Sequence, residues 1–131
     1  MFTSIKTSVA NKPIVTELTR KLNLGPENII ARIAFAYSLS KSKRFSTTEI
    51  EDSKGKEYSR NVLFGDNLPY YVSLVCAHYK IYKTDKDVPK YIKMHVDHGL
   101  ELIDEEFKKN PSLTGIDFLV DKIESGLKYL E

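Results

Sequence analysis

The histidines in "MHVDHG", residues 94–99, are the residues whose spacing could bind a metal. His95 and His98 are three positions apart, so they share one face if the segment is helical. Asp97 lies between them and points elsewhere. Neither the helical spacing of a zinc-protease motif nor a fourth ligand is visible. We therefore predict that both histidines pack against a partner surface and hold no metal.

No pattern of nucleophilic catalysis is present either. Cys76 lies in the apolar stretch "SLVCAHY", and His78, two positions on, would face away from it on a helix. Cys76 is best explained as a small buried hydrophobe. The sequence contains no GxSxG motif, no P-loop and no glycine-rich dinucleotide fingerprint. We expect no enzyme activity and no cofactor, with a nuclease built from scattered carboxylates as the alternative.

Basic side chains give a stronger signal. The formal net charge is only +2, yet residues 1–65 contain 11 Lys or Arg and 6 Asp or Glu, while the rest of the chain is acidic. Such a basic half favours an anionic partner, and a basic loop can neutralise DNA phosphates without reading bases. The basic residues that follow the second predicted helix are Lys41, Lys43, Arg44, Lys54 and Lys56. The alternative is a merely solvated loop.

Periodicity and turn residues predict a mainly α fold in one domain, residues 1–131. Five helices are expected, over about residues 12–23, 25–40, 67–82, 88–108 and 114–130. The alternation in "MFTSIKTSV" predicts a strand at the N-terminus. A turn at "DSKG" predicts a short central β-hairpin between "TTEI" and "EYSRNVLF". No secretory signal or spanning segment is visible, so we expect a cytoplasmic protein with no membrane contact.

The second predicted helix, "GPENIIARIAFAYSLS", has almost no polar face. Because a helix that is apolar all round must be buried, we expect neighbouring subunits in a homo-oligomer to cover it together with its own domain. Its assembly residues would be Ile29, Ile30, Arg32, Ile33, Phe35 and Tyr37. The charge of Arg32 inside such a core requires a carboxylate or several carbonyl groups, and a structural ion pair is favoured over a phosphate contact. The alternative is the central helix of an ordinary α-domain core.

A strand, a helix and an apolar second helix also match a ribbon-helix-helix unit, whose two-stranded ribbon reads DNA. Under that alternative the chain is a transcriptional regulator that contacts DNA through Thr3, Ile5 and Thr7. A third possibility is a pure scaffold without DNA affinity, in which the acidic C-terminal half docks a partner protein.

Three stretches in order, "LGPENIIARIAFAYSLS", "GKEYSRNVLFGD" and "HVDHGLELI", resemble the DndE family of DNA sulfur modification (phosphorothioation) proteins. The resemblance covers about residues 14–105. Its most specific elements are Asn28, Arg32, Ser38, the turn 55–58, Arg60, the segment 63–65 and the segment 98–100.

The resemblance implies a small helical protein without chemistry of its own, which serves a restriction-modification type of system. Family members are thought to form tetramers and to bind DNA, preferably nicked duplex, through surface lysines. The implied partners are the sulfurtransferase and ATPase-like components of the system, with a cysteine desulfurase upstream. Charge clustering then adds Lys21 to the candidate DNA contacts. The expected function is a non-catalytic DNA-binding and assembly subunit.

Overall fold

The structure is a computed structural model that describes residues 2–130. Five helices of three or more turns form most of it. They are α1 (Asn11–Leu22), α2 (Glu27–Ser40), α4 (Leu68–Tyr79), α5 (Val88–Lys109) and α6 (Gly115–Lys128). A one-turn helix, α3 (Arg60–Phe64), precedes α4. The mainly α, single-domain prediction with five helices is therefore confirmed. None of the described helices is long and apolar enough to cross a membrane.

Two short strands, β1 (Ser4–Lys6) and β2 (Glu57–Ser59), form an antiparallel sheet in which Ile5 lies opposite Tyr58. The predicted N-terminal strand is thus confirmed, whereas the predicted central hairpin is wrong. Residues 47–49 form a 3₁₀ turn instead of a strand. The Ser46 side chain accepts from Thr48 N–H at this turn, and the Glu49 carboxylate accepts from Ser46 N–H. This local cap leaves β2 free to pair with β1.

The ribbon-helix-helix alternative conflicts with the environment of β1. Ile5 and Thr7 are buried in the core of their own chain. The Thr7 backbone also exchanges hydrogen bonds with the backbone of Lys56 and Gly55. A strand that is paired and buried within one chain does not present these side chains to a DNA groove.

Helices α2 and α5 cross closely at the centre of the domain. Gly99 of α5 faces the backbone of Ala34, and a Cβ atom at position 99 would lie 1.8 Å from the Ala34 carbonyl oxygen. On the other side of α2, the Phe35 ring packs edge-on against Phe64, with ring centroids 5.0 Å apart. The central position of α2 shows that much of its apolar surface is covered within a single chain.

Helix α6 is the most lightly attached of the long helices. Phe118 is its one large buried side chain, and Gly115 lies against the backbone of Leu22 at the end of α1. Lys122 adds an ion pair with Glu106 of α5 at 2.6 Å. Most other apolar side chains of α6 are exposed.

Candidate functional site

The two histidines of α5 meet a serine of α2 and a tyrosine of α4. Ser38 Oγ lies 2.7 Å from Nδ1 of His95 and 2.7 Å from Nδ1 of His98. The Tyr79 hydroxyl lies 2.6 Å from His95 Nε2 and accepts a hydrogen bond from the Phe45 N–H. Both histidines therefore pack as structural side chains against helices of their own chain.

One assignment of protons accounts for each of the hydrogen bonds in this network. The Tyr79 hydroxyl, which already accepts from the backbone, donates to His95 Nε2. His95 Nδ1–H then donates to Ser38 Oγ, and the Ser38 hydroxyl donates to His98 Nδ1. This assignment requires neutral imidazoles in opposite tautomers, because a single hydroxyl proton serves two ring nitrogens. The network joins α2, α4 and α5.

Burial keeps these imidazoles uncharged. It lowers the pKa of His95 to about 3, with smaller contributions from His78 and His98. Burial also lowers the pKa of His98, helped by Lys43. For Cys76, burial raises the pKa, so the thiol stays protonated. Within residues 2–130, no three His, Cys, Asp or Glu side chains come together in a way that could hold a metal.

Arg32 lies half-buried between α2 and the one-turn helix α3. Its Nε–H donates to the Leu63 carbonyl at 2.6 Å and its Nη2–H to the Val62 carbonyl at 3.3 Å. Asn28 also donates to the Val62 carbonyl, at 3.0 Å. These carbonyls belong to the last turn of α3, where no N–H group of the helix itself can donate to them. The Arg32 guanidinium supplies the missing hydrogen-bond donors. The predicted structural ion pair is wrong, since no described carboxylate lies within ion-pair distance of Arg32.

Three of the predicted DNA-binding residues lie together in the segment after α2, and contacts with the body of the protein order them. Lys41 Nζ lies 4.7 Å from the centre of the Tyr37 ring, and Lys43 Nζ lies 4.8 Å from that of Phe45. The Arg44 Nε–H donates to the His78 carbonyl at 3.0 Å. All three basic side chains are exposed. We call Lys41, Lys43 and Arg44 the basic segment.

The other three candidates do not join the basic segment through any contact. Lys56 pairs with Glu27 at 3.5 Å, and Lys21 lies 3.7 Å from Glu17 on α1. Lys54 is exposed in the turn that precedes β2, where its backbone N–H donates to Asp52. The six residues that the sequence grouped by charge therefore have different surroundings: three are ordered by contacts in the segment after α2, and the other three lie on α1 or close to β2.

The start of the α4–α5 connection is a basic element that the sequence analysis missed. His78, near the end of α4, contacts both Arg44 and the Lys43 carbonyl. The exposed lysines Lys80 and Lys83 follow it directly, with the exposed ring of Tyr82 between them. The alternation of lysine and tyrosine in "KIYK", residues 80–83, could have indicated this basic element from the sequence.

A buried ion pair on α5 was also missed. Lys93 Nζ lies 2.8 Å from Asp97 Oδ2, and both side chains are about 6% exposed. The other oxygen of Asp97 accepts from the Ser8 N–H and from the Asn11 amide. This arrangement fixes the N-terminus of α1 and the end of β1 on α5. The four-residue spacing of Lys93 and Asp97 could have indicated it.

The predicted assembly residues of α2 divide into two groups. Ile30 and Phe35 are fully buried in their own chain, which accounts for the part of α2 that its own domain was expected to cover. Ile29, Ile33 and Tyr37 are only partly buried, and Ala36 is exposed. This partly open strip of α2 borders one groove towards α6 and another towards α4.

Comparison with known proteins identifies the family. Residues 4–111 match the family described as DNA sulphur modification protein DndE. The crystal structure of DndE from Escherichia coli B7A, involved in DNA phosphorothioation modification, is 19% identical, with a TM-score of 0.64 over 79% of this chain and 98% of that chain. A DndE mutant with two glycines replaced by lysine is 20% identical, with a TM-score of 0.65 and the same coverage. No curated protein sequence matches. The chain therefore belongs to the DndE family of DNA sulphur modification proteins.

Proposed function

We propose that this chain is a non-catalytic DNA-binding and assembly subunit of the DNA phosphorothioation machinery. The observation that carries the DNA-binding part is the ordered, exposed basic segment. Its partners would be duplex DNA and the sulfurtransferase and ATPase-like components of the same system. We expect it to act in the cytoplasm.

The basic segment suits phosphate contacts better than base reading. The ammonium groups of Lys41 and Lys43 lie over aromatic rings, which holds them at defined positions while both side chains remain exposed. Lysine acts on phosphate as a point charge and carries no base-specific pattern. Binding would therefore be independent of sequence. A nick makes the duplex easier to bend, which would favour a protein that follows the backbone over a curved surface.

The side chains that could do chemistry already have structural roles. Ser38 forms hydrogen bonds with both α5 histidines inside the protein, so these polar groups already have partners. Asp97 neutralises Lys93 and holds the start of α1. The Cys76 thiol is kept protonated, and a protonated thiol is a poor nucleophile. These engagements support a binding role over a catalytic one.

The partly open strip of α2 supports self-association. Ala36 is exposed between two grooves with apolar linings, and the half-buried Ile33 lies beside it. We propose that this strip contributes to a homo-oligomer, a tetramer by the family resemblance. Light scattering at micromolar concentration should give a multiple of the 15.0 kDa chain mass. Ala36→Glu should lower that multiple, and a monomeric wild-type protein would contradict the proposal.

The DNA contact is tested by removing two charges from the basic segment. Lys41→Ala combined with Lys43→Ala should weaken binding to intact and nicked duplexes of any sequence. Each lost phosphate contact lowers the magnitude of the slope of log K against log salt by roughly 0.9, so the double variant should lower it by about 1.8 for each bound chain. Fluorescence anisotropy over a salt series measures this slope.

A matched control removes the same number of charges elsewhere. Lys12→Ala combined with Lys109→Ala takes two exposed lysines from α1 and from the end of α5, and neither is among the predicted DNA-binding residues. This control should leave the salt slope near its wild-type value. Equal losses in both double variants would show that binding follows net charge and not the basic segment. Absence of binding by the wild-type protein at low salt would leave only an assembly role.

A further inference from the structure

A continuous row of apolar side chains runs along the outer face of α6 and into the residues after it. Its members are Ile116, Val120, Ile123, Leu127 and Leu130, which are between 46% and 82% exposed. We call this row the α6 seam. Successive members are four, three, four and three positions apart. This is the spacing of the a and d positions in a coiled coil.

Most of the seam is separate from the surface that attaches α6 to its own domain, and only Ile123 of its members also borders the groove towards α2. Phe118 and Lys122 point towards the domain, where Phe118 is buried and Lys122 contacts Glu106. A 14-residue helix is marginally stable in water without packing along its length. One buried aromatic ring is little support for such a helix. The seam therefore leaves α6 with an apolar face that its own chain does not cover.

We propose that the α6 seam is a contact between two copies of this chain, in which the two α6 helices lie parallel and form a short coiled coil. Spacing and area favour a second copy. The five exposed side chains present roughly 600 Å² of apolar surface on each chain, and an isologous pair would bury at most about twice that, which is the lower end of the range of specific interfaces. A patch of this size on a monomer is itself a sign of an interaction site.

The charges beside the seam favour the parallel orientation. Asp117 and Glu124 flank one side of the seam, whereas Leu119 and Gly126 flank the other. In a parallel pair, one flank of each helix lies against the opposite flank of its partner. The carboxylates then face Leu119 and Gly126, while an antiparallel pair would bring carboxylates together. A Cβ atom at Gly126 would meet nothing within 4 Å, so the partner helix has room to approach.

This contact is an addition to the family fold. The α6 seam lies beyond residues 4–111, which match the family, and the two related crystal structures cover 79% of the chain. The proposal does not depend on DNA binding or on the open strip of α2. Ile123 borders the groove between α2 and α6, whereas the other four members of the seam line neither groove beside that strip.

The first test places one negative charge on the seam. Leu127→Glu conserves helix propensity and puts a charge into the proposed contact. Ser125→Glu adds the same charge to an exposed position of α6 off the seam. Light scattering of both variants at matched micromolar concentrations should show a mass about twofold lower for Leu127→Glu and the wild-type mass for Ser125→Glu. Circular dichroism checks that both variants keep their helices. An unchanged mass for Leu127→Glu would overturn the proposal.

The second test distinguishes a second copy from another partner and also reports orientation. In a Cys76→Ala background, Ile116→Cys should form an interchain disulfide rapidly under mild oxidation, because parallel helices bring equivalent positions together. Ser125→Cys in the same background should form little. Equal cross-linking of the two variants would overturn the proposal. Loss of DNA binding in the basic-segment variant has no bearing on either readout, so the two proposals fail separately.

Discussion

The neutral histidine at the centre of the domain predicts a specific loss of stability in mild acid. His95 is fully buried and its pKa is lowered from 6.5 to about 3. In the unfolded chain the imidazole regains its ordinary pKa. Below pH 6.5 the unfolded state therefore binds a proton at His95, whereas the folded state stays unprotonated there until the pH approaches 3. The stabilisation is complete above pH 6.5 and is lost progressively as the pH falls towards 3.

The magnitude follows from this difference in proton binding. One site contributes a slope of up to about 1.4 kcal/mol per pH unit, so the free energy of unfolding should fall by about 2 kcal/mol between pH 7 and pH 5. His98, whose pKa is also lowered, adds a loss of the same sign. Within a typical total of about 5–15 kcal/mol, a loss of this size is easily measured.

Urea denaturation at pH 7, 6 and 5 and constant ionic strength measures the effect. His95→Gln conserves one donor and one acceptor for Ser38 and Tyr79 but does not titrate. The variant will be less stable at pH 7. Its free energy of unfolding should nevertheless depend less steeply on pH, because unfolding of the variant takes up about one proton fewer below pH 6.5. All other titrating groups cancel in the comparison. Parallel curves for wild type and variant, or a folded-state His95 ring that titrates near pH 6.5 by NMR, would refute the reasoning.

Two further substitutions test structural roles. Arg32→Ala should lower the free energy of unfolding by about 1–3 kcal/mol, because the Leu63 carbonyl loses its donor while Asn28 still donates to the Val62 carbonyl; urea denaturation measures this loss. A stable variant with lost DNA affinity would instead place Arg32 on the DNA. Asp97→Asn should cost about 3–5 kcal/mol because it leaves the charge of Lys93 buried and unpaired, and adding Lys93→Met should restore part of that loss. Additive losses in the double variant would argue against coupling of this pair.

The sequence by itself determined the helices and the family. The helical elements follow from apolar spacing and turn residues close to each boundary, and such signals act over a few residues. Helix α5 shows this well, since the expected bounds 88–108 differ from Val88–Lys109 by one residue. The motifs around Arg32, Tyr58 and His98 occur in the order along the chain on which the resemblance to the DndE family rests. The family therefore needed no structure to be recognised.

Pairings between distant segments were decided only by the tertiary structure. Residue 5 pairs with residue 58, and a local cap at Ser46 removed the hairpin that sequence proximity favoured. Arg32 donates to the carbonyls of Val62 and Leu63 and does not pair with a carboxylate, because the last turn of α3 packs against α2. Charge type along the chain does not say which lysines share a surface. That grouping depends on how the segment after α2 rests on α4, and those contacts exist only in the folded domain.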